Sequence, residues 1–219
     1  MNKKRVIVFG AGGHAKVVVD VLEQMGAYQI VGLVDDSLEL KGTVRGDYSV
    51  LGNKDDLAGM SGADIDGVIV ALGDNYRRKL VCKEVERMGF TLISAIHPSA
   101  VIGSRVRIGA GTLVVAGVVV NVDAEIGVNV IVNTGATVDH DCRIGAHVHL
   151  SPGVHLAGRV SVGALTHVGI GAVVLPNLTI GANCVVGAGS VVRENVPDGV
   201  VVVGNPARVI RQNEVALGL

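Results

Sequence analysis

From Ile96 to Val192 every sixth residue is aliphatic, seventeen positions in succession: Ile96, Ile102, Ile108, Val114, Val120, Ile126, Val132, Val138, Ile144, Leu150, Leu156, Val162, Val168, Val174, Ile180, Val186 and Val192. A period of six matches neither the stripe of an α-helix nor the alternation of a simple strand. It is the signature of a stacked repeat, three hexapeptides closing one triangular coil of 18 residues. The fourth position after each rung is also small or aliphatic, through Ala100, Val106, Thr112, Val118, Ala124, Val130, Ala136, Cys142, Val148 and Val154, so these side chains point inward too. Glycine follows the rung at Gly103, Gly109, Gly127, Gly145, Gly163, Gly169, Gly181 and Gly187, which we read as the places where the coil turns too sharply for a Cβ. The pattern predicts a parallel β-helix of about five to six coils, each stabilised by the coils above and below it.

N-terminal to the ladder the pattern changes. Arg5 to Phe9 is a buried-strand run, Gly10 to Gly13 a glycine-rich turn, and Ala15 to Met25 an amphipathic helix stopped at Gly26. Ile30 to Val34 predicts a second strand, Gly67 to Leu72 a third, and Tyr76 to Met88 a helix capped by Asp74 or Asn75. Alternating strands and helices imply a small parallel sheet. The expected organisation is a Rossmann-like α/β domain over residues 1–93, then an all-β hexapeptide β-helix with a C-terminal tail over 94–219.

Composition narrows the function classes. The 219 residues are 49% apolar, ample for two cores, and the net charge of −1 offers no footprint for nucleic acid or an acidic membrane. The longest apolar stretch, Leu113 to Val120, is far too short to span a bilayer, and the N-terminus shows no signal-peptide pattern, so a soluble cytoplasmic protein is expected. Cys82, Cys142 and Cys184 lack the paired spacing of metal sites or disulfide frameworks and read as small buried hydrophobes.

Gly10, Gly12 and Ala15 nearly match the dinucleotide fingerprint, with Asp35 at about the distance where that fold places an acid on a ribose and Asp36 beside it. A strand feeding a glycine turn and a helix N-terminus presents backbone N–H groups at Gly12, Gly13 and His14 to a phosphate. The segment is too short for a full dinucleotide fold, and His14 stands inside the turn, so a mononucleotide-linked ligand fits better than NAD. The third strand runs into Gly73, Asp74 and Asn75, with Arg78 and Lys79 a turn later, where such sheets bind ligands. Adjacent basic residues are equally explained by a solvated helix face.

The motifs VFGAGGHAKVVVDV, LVDD, ALGDN, IHPSAVIG, NTGATVDHDCRIG, VLPNLTIGANCVVGAGSVV and VGNPARVI together resemble the bacterial nucleotide-sugar acetyltransferases of the PglD and NeuD type. The resemblance covers nearly the whole chain. It implies a left-handed β-helix, acetyl-CoA as co-substrate, no metal, and a homotrimer with acetyl-CoA sites between neighbouring β-helices. It makes His140 the general base, with a carboxylate beside it; the family often has Glu where this chain has Asp141, and Asp139 is the other candidate. By the same resemblance Asn133 lies near the acceptor sugar, His149 contacts acetyl-CoA, Gly158 offers a backbone N–H to the thioester oxyanion, and Arg208 or Arg211 lies near a CoA phosphate.

The ladder itself places Asp139, His140 and Asp141 outward at one corner, because Val138 and Cys142 are inward positions. A histidine titrating near 6.5 suits proton transfer near neutrality. His147, His155 and His167 have weaker cases. His149 and His167 stand one coil apart and raise a zinc reading, but the spacing of β-helical carbonic anhydrases falls from His140 on Pro176 and Gly181. The expected activity is acetyl transfer to the amine of a UDP- or dTDP-linked 4-amino-4,6-dideoxy sugar. O-acetylation of sialic acid and nucleotide-sugar binding without turnover are the alternatives.

Overall fold

The computed structural model describes residues 3–60 and 65–214, and the chain divides into two compact units, one ending at Pro98 and the other beginning at Ser99. The part of the expected C-terminal tail over 215–219 lies outside the described residues.

The first unit is built on β1 (Lys4–Phe9), α1 (Gly13–Met25), β2 (Tyr28–Val34), β3 (Val44–Arg45), β4 (Tyr48–Gly52), α2 (Lys54–Ala58), β5 (Gly67–Val70) and α3 (Asn75–Arg87). Sheet order is β3-β4-β2-β1-β5, parallel apart from the β3–β4 hairpin. Val6, Ile7 and Val8 are fully buried, as a central strand covered on both faces requires. Helix α1 buries Ala15, Val18, Val21 and Leu22 and ends at Gly26, whose φ of 66° lets its N–H close on the Glu23 carbonyl. Helix α3 is capped by Asp74, which accepts from the Arg77 N–H at 2.7 Å. The predicted elements are present with ends shifted by a residue or two. The hairpin and α2 carry no strong periodicity and are additions by the structure; α2 is announced only by its capping box, Asn53 with Asp56.

The order β2-β1-β5 sets the exits of β1 and β5 side by side. Gly10, at φ 121°, packs so closely on β5 that a Cβ there would stand 2.8 Å from the Ala71 carbonyl oxygen. Only glycine fits this crossing.

The second unit is the stacked coil. Its strands are two residues long and pair in parallel 18 residues apart, Ile126 with Ile144 and His149 with His167 among them. They form three walls: a six-stranded wall from Val101–Ile102 to Val191–Val192, a five-stranded wall from Arg107–Ile108 to Thr179–Ile180, and a third rising through Leu113–Val114 and Val185–Val186 to a closing antiparallel pair, Val200–Gly204 with Ala207–Gln212. Rungs from Val114 to Val192 are at most 3% exposed. Ile102, in the terminal coil with a coil on one side only, is 36% exposed. Cys142 and Cys184 are fully buried, and the inward Thr112 and Thr166 hydroxyls donate to the Gly127 and Gly181 carbonyls.

The glycine expectation is corrected in its cause. The glycines after the rungs do not have positive φ; a Cβ on Gly127 would meet the next coil at 2.8 Å from Ala146 N and 2.9 Å from Gly145 C. The sharp left-handed turn comes two residues later, at Asp123, Asn129, Gly135, Asp141, His147, Gly153 and their equivalents, with φ between 53° and 72°. Close stacking, not turning, selects glycine at the first position.

Candidate functional site

In the first unit a cavity of ≈ 740 Å³ opens over the exits of β1, β2 and β5. Gly12, Gly13, His14, Asp35, Asp36 and Gly73 line it, together with Ser37, Lys54, Arg77 and Glu84. A Cβ on Gly12, Gly13 or Gly73 would meet nothing within 4 Å, so their backbones face open space. Asp35 uses both carboxylate oxygens on backbone: Oδ2 accepts from the Ala11 N–H at 2.8 Å and Oδ1 from the Ser37 N–H at 2.9 Å. It thereby ties the glycine turn to the exit of β2, whereas Asp36 accepts from the Lys54 N–H at 3.3 Å.

Burial, and then the nearby charge of Arg78, push the His14 imidazole down to about 4, so His14 is neutral at pH 7. Arg78 is fully buried and stands below the cavity wall, which corrects the solvated-face alternative. Its Nη1 donates to the Leu72 and Gly73 carbonyls at 3.1 and 3.3 Å and its Nη2 to Asn75 Oδ1 at 2.9 Å. Burial lowers its guanidinium to about 10, which leaves it cationic at neutrality.

In the second unit Val138–Cys142 turns the corner between the six- and five-stranded walls. His140 Nδ1 lies 2.7 Å from Asp141 Oδ2. A neutral imidazole that donates to a carboxylate from Nδ1 carries its lone pair on Nε2. That Nε2 overhangs Gly158, one coil on, where an added Cβ would stand 2.6 Å away. Asp139 does different work: its Oδ1 accepts from the His140 backbone N–H at 2.8 Å and from Asn121 Nδ2 at 2.9 Å, and these bonds hold its carboxyl below the usual range. Asp141 therefore touches the ring and Asp139 the backbone beneath it.

His149 stands on the third wall and Asn133 just past that wall's Ile131–Val132, Asn133 Nδ2 lying 3.2 Å from His149 Nε2. His149 is buried and meets the His167 ring edge-on at 4.9 Å. His147 Nδ1 lies 2.8 Å from Asn129, and His155 Nδ1 2.9 Å from Thr137. Arg208 lies on the closing strand, 3.4 Å from Glu194. One β-helix thus brings His140, Asp141 and Gly158 together at one corner, and Asn133 with His149 at another.

A family model for the PglD N-terminal domain matches residues 5–85, and one for the bacterial transferase hexapeptide, six repeats, matches 159–194. Among solved structures the chain is similar to PerB from Caulobacter crescentus, in complex with CoA and GDP-perosamine, at 44% identity and a TM-score of 0.88 over 94% of this chain and 96% of that one. It is 38% identical to the acetyltransferase domain of PglB from Neisseria gonorrhoeae in complex with acetyl coenzyme A, with a TM-score of 0.90 over 95% and 100%. WeeI from Acinetobacter baumannii follows at 30% identity and 0.87 over the same shares. The chain belongs to the PglD-type hexapeptide acetyltransferases.

Two features of this acetyltransferase escape sequence reasoning. Arg77, one residue before the predicted Arg78, is the arginine that lines the cavity. Asn121 braces Asp139 from one coil below, legible only by counting 18 residues back along the ladder. Among the described residues no three His, Cys, Asp or Glu side chains gather as a metal site, and no helix is long and apolar enough to cross a membrane.

Proposed function

We propose that this acetyltransferase moves the acetyl group of acetyl-CoA to the amine of a nucleotide-linked 4-amino-4,6-dideoxy sugar, with His140 as general base. The observation that carries the reading is the His140–Asp141 pair, whose 2.7 Å contact leaves Nε2 over the bare backbone of Gly158. The amine nitrogen attacks the thioester carbonyl, and its proton passes to Nε2. The resulting imidazolium is stabilised by Asp141. As the tetrahedral intermediate collapses the C–S bond breaks and the leaving thiolate takes up the proton held by the His140 imidazolium, which returns the ring to its neutral form. The Gly158 backbone N–H is the proposed donor to the oxyanion.

Acetyl-CoA as donor is supported by the CoA and acetyl coenzyme A complexes of the relatives. The first unit is proposed to hold the nucleotide in its cavity, with Gly12, Gly13, His14, Asp36 and Gly73 around the ligand, and Asp35, Asn75 and Arg78 bracing its walls. The GDP-perosamine bound by PerB adds guanine to the uracil and thymine expected from the family resemblance.

A homotrimer is part of the proposal. Asn133 and His149, proposed on the acceptor and CoA sides, stand at a different corner of the coil from His140, so a site using all three needs two β-helices side by side. Exposed aliphatic side chains such as Val101, Val128 and Ile170 supply apolar surface for such packing. Arg208 is proposed near the CoA phosphates.

Thiol release from acetyl-CoA tests the reading against GDP-, UDP- and dTDP-linked 4-amino sugars and free sialic acid. Release with a nucleotide-linked amine supports it. Release with sialic acid alone transfers the activity to O-acetylation, and binding without release leaves a non-catalytic module.

A further inference from the structure

Two adjacent arginines at the start of α3 diverge. Arg78 turns into the protein and ties down the Leu72 and Gly73 carbonyls, while Arg77, exposed, lines the cavity with Gly12, Gly13, His14 and Gly73. The divergence follows from the roughly 100° between successive helical residues.

We propose that Arg77 is the cation that receives the diphosphate of the nucleotide-linked acceptor, from a wall held in place by Arg78; this rests on the acceptor proposed above. Lining the same cavity, α1 begins at Gly13 with an N-cap glycine and no side-chain cap bond, which leaves its first N–H groups and the positive end of the helix dipole available there. Among the described residues the other cation lining the cavity is Lys54, 3.9 Å from Glu84 and so partly neutralised. Asp36 and Glu84 add negative charge on that same side. A diphosphate is therefore most stable between the α1 N-terminus and Arg77, which can grip two phosphate oxygens with one guanidinium.

Coenzyme A also carries a diphosphate, and the test must separate the two sources. Calorimetric titrations of wild type, Arg77→Ala and Arg77→Lys with UDP, GDP, dTDP and coenzyme A, each at low and high salt, do so. For the nucleoside diphosphate that wild type binds best, Arg77→Ala should raise Kd about tenfold and flatten its salt dependence, and Arg77→Lys should recover part of the loss. Affinity for coenzyme A should stay within twofold. A nucleoside diphosphate Kd within twofold of wild type in Arg77→Ala overturns the inference, as does an equal loss for coenzyme A or a loss with unchanged salt dependence. A wild type that binds none of the three nucleoside diphosphates overturns the nucleotide-linked acceptor itself, and the role of Arg77 with it. Arg77 is exposed, so the variant is not expected to unfold the domain.

Discussion

The imidazole of His140 leans over Gly158 on the next coil, its Nε2 2.6 Å from where a Cβ on that glycine would stand. A methyl group there must push the ring aside or be pushed itself, and in the proposed mechanism ring position sets the distance to the attacking amine. Gly158→Ala should lower kcat by about tenfold or more, since small misplacements in a site are costly. Steady-state kinetics beside a thermal melt check this; an unchanged kcat in a folded variant would show that the ring does not need its place.

Asp141 occupies a left-handed turn position, with φ 59°. Asparagine tolerates that conformation, so Asp141→Asn removes the charge while sparing the backbone. The imidazolium formed during transfer would then lose its stabilising carboxylate. We expect kcat to fall by about ten- to a hundredfold with KM for acetyl-CoA nearly unchanged, less than in buried triads because His140 and Asp141 are partly solvated.

The two glycine classes predict opposite responses to asparagine. Gly135, at φ 65° with nothing within 4 Å of an added Cβ, occupies the turn that Asn129, Asn177 and Asn183 take elsewhere. Gly135→Asn should cost less than about 1 kcal/mol. Gly127→Asn, forced against the backbone of the next coil, should cost about 1–3 kcal/mol or prevent folding. Denaturant unfolding of both variants decides, and equal losses would refute the distinction.

His14 gives a pH signature. Its imidazole titrates at about 4 in the fold against 6.5 when unperturbed, through burial first and Arg78 second. Between those values the unfolded chain binds more protons than the folded one. The stability linked to His14 is therefore full above about pH 6.5 and is lost as pH falls toward 4. It amounts to at most about 3 kcal/mol, less for a ring that keeps some solvent. Wild type should lose stability more steeply than His14→Gln over this window, as measured by denaturant unfolding; parallel curves would contradict the assignment.

The β-helix is legible in the sequence because one side chain per hexapeptide must be inward and aliphatic, and no other period satisfies seventeen consecutive positions. The same count separates Val138 and Cys142, which are core, from His140 between them. It does not reveal that Asp141 takes the ring while Asp139 takes the backbone N–H, because that depends on side-chain direction at a left-handed turn. In the first unit, the glycine turn and its Asp35 are readable from spacing, but the use of both Asp35 oxygens on backbone is not. Arg77 and Arg78 are alike in sequence and are separated only by the rotation of α3 against the cavity.

The most direct test of the catalytic account is kcat for His140→Ala relative to wild type, with acetyl-CoA and the best nucleotide-linked amino sugar both saturating. The account predicts a loss of about 10²- to 10⁴-fold, the usual contribution of a positioned base. A folded His140→Ala enzyme turning over at the wild-type rate would contradict it.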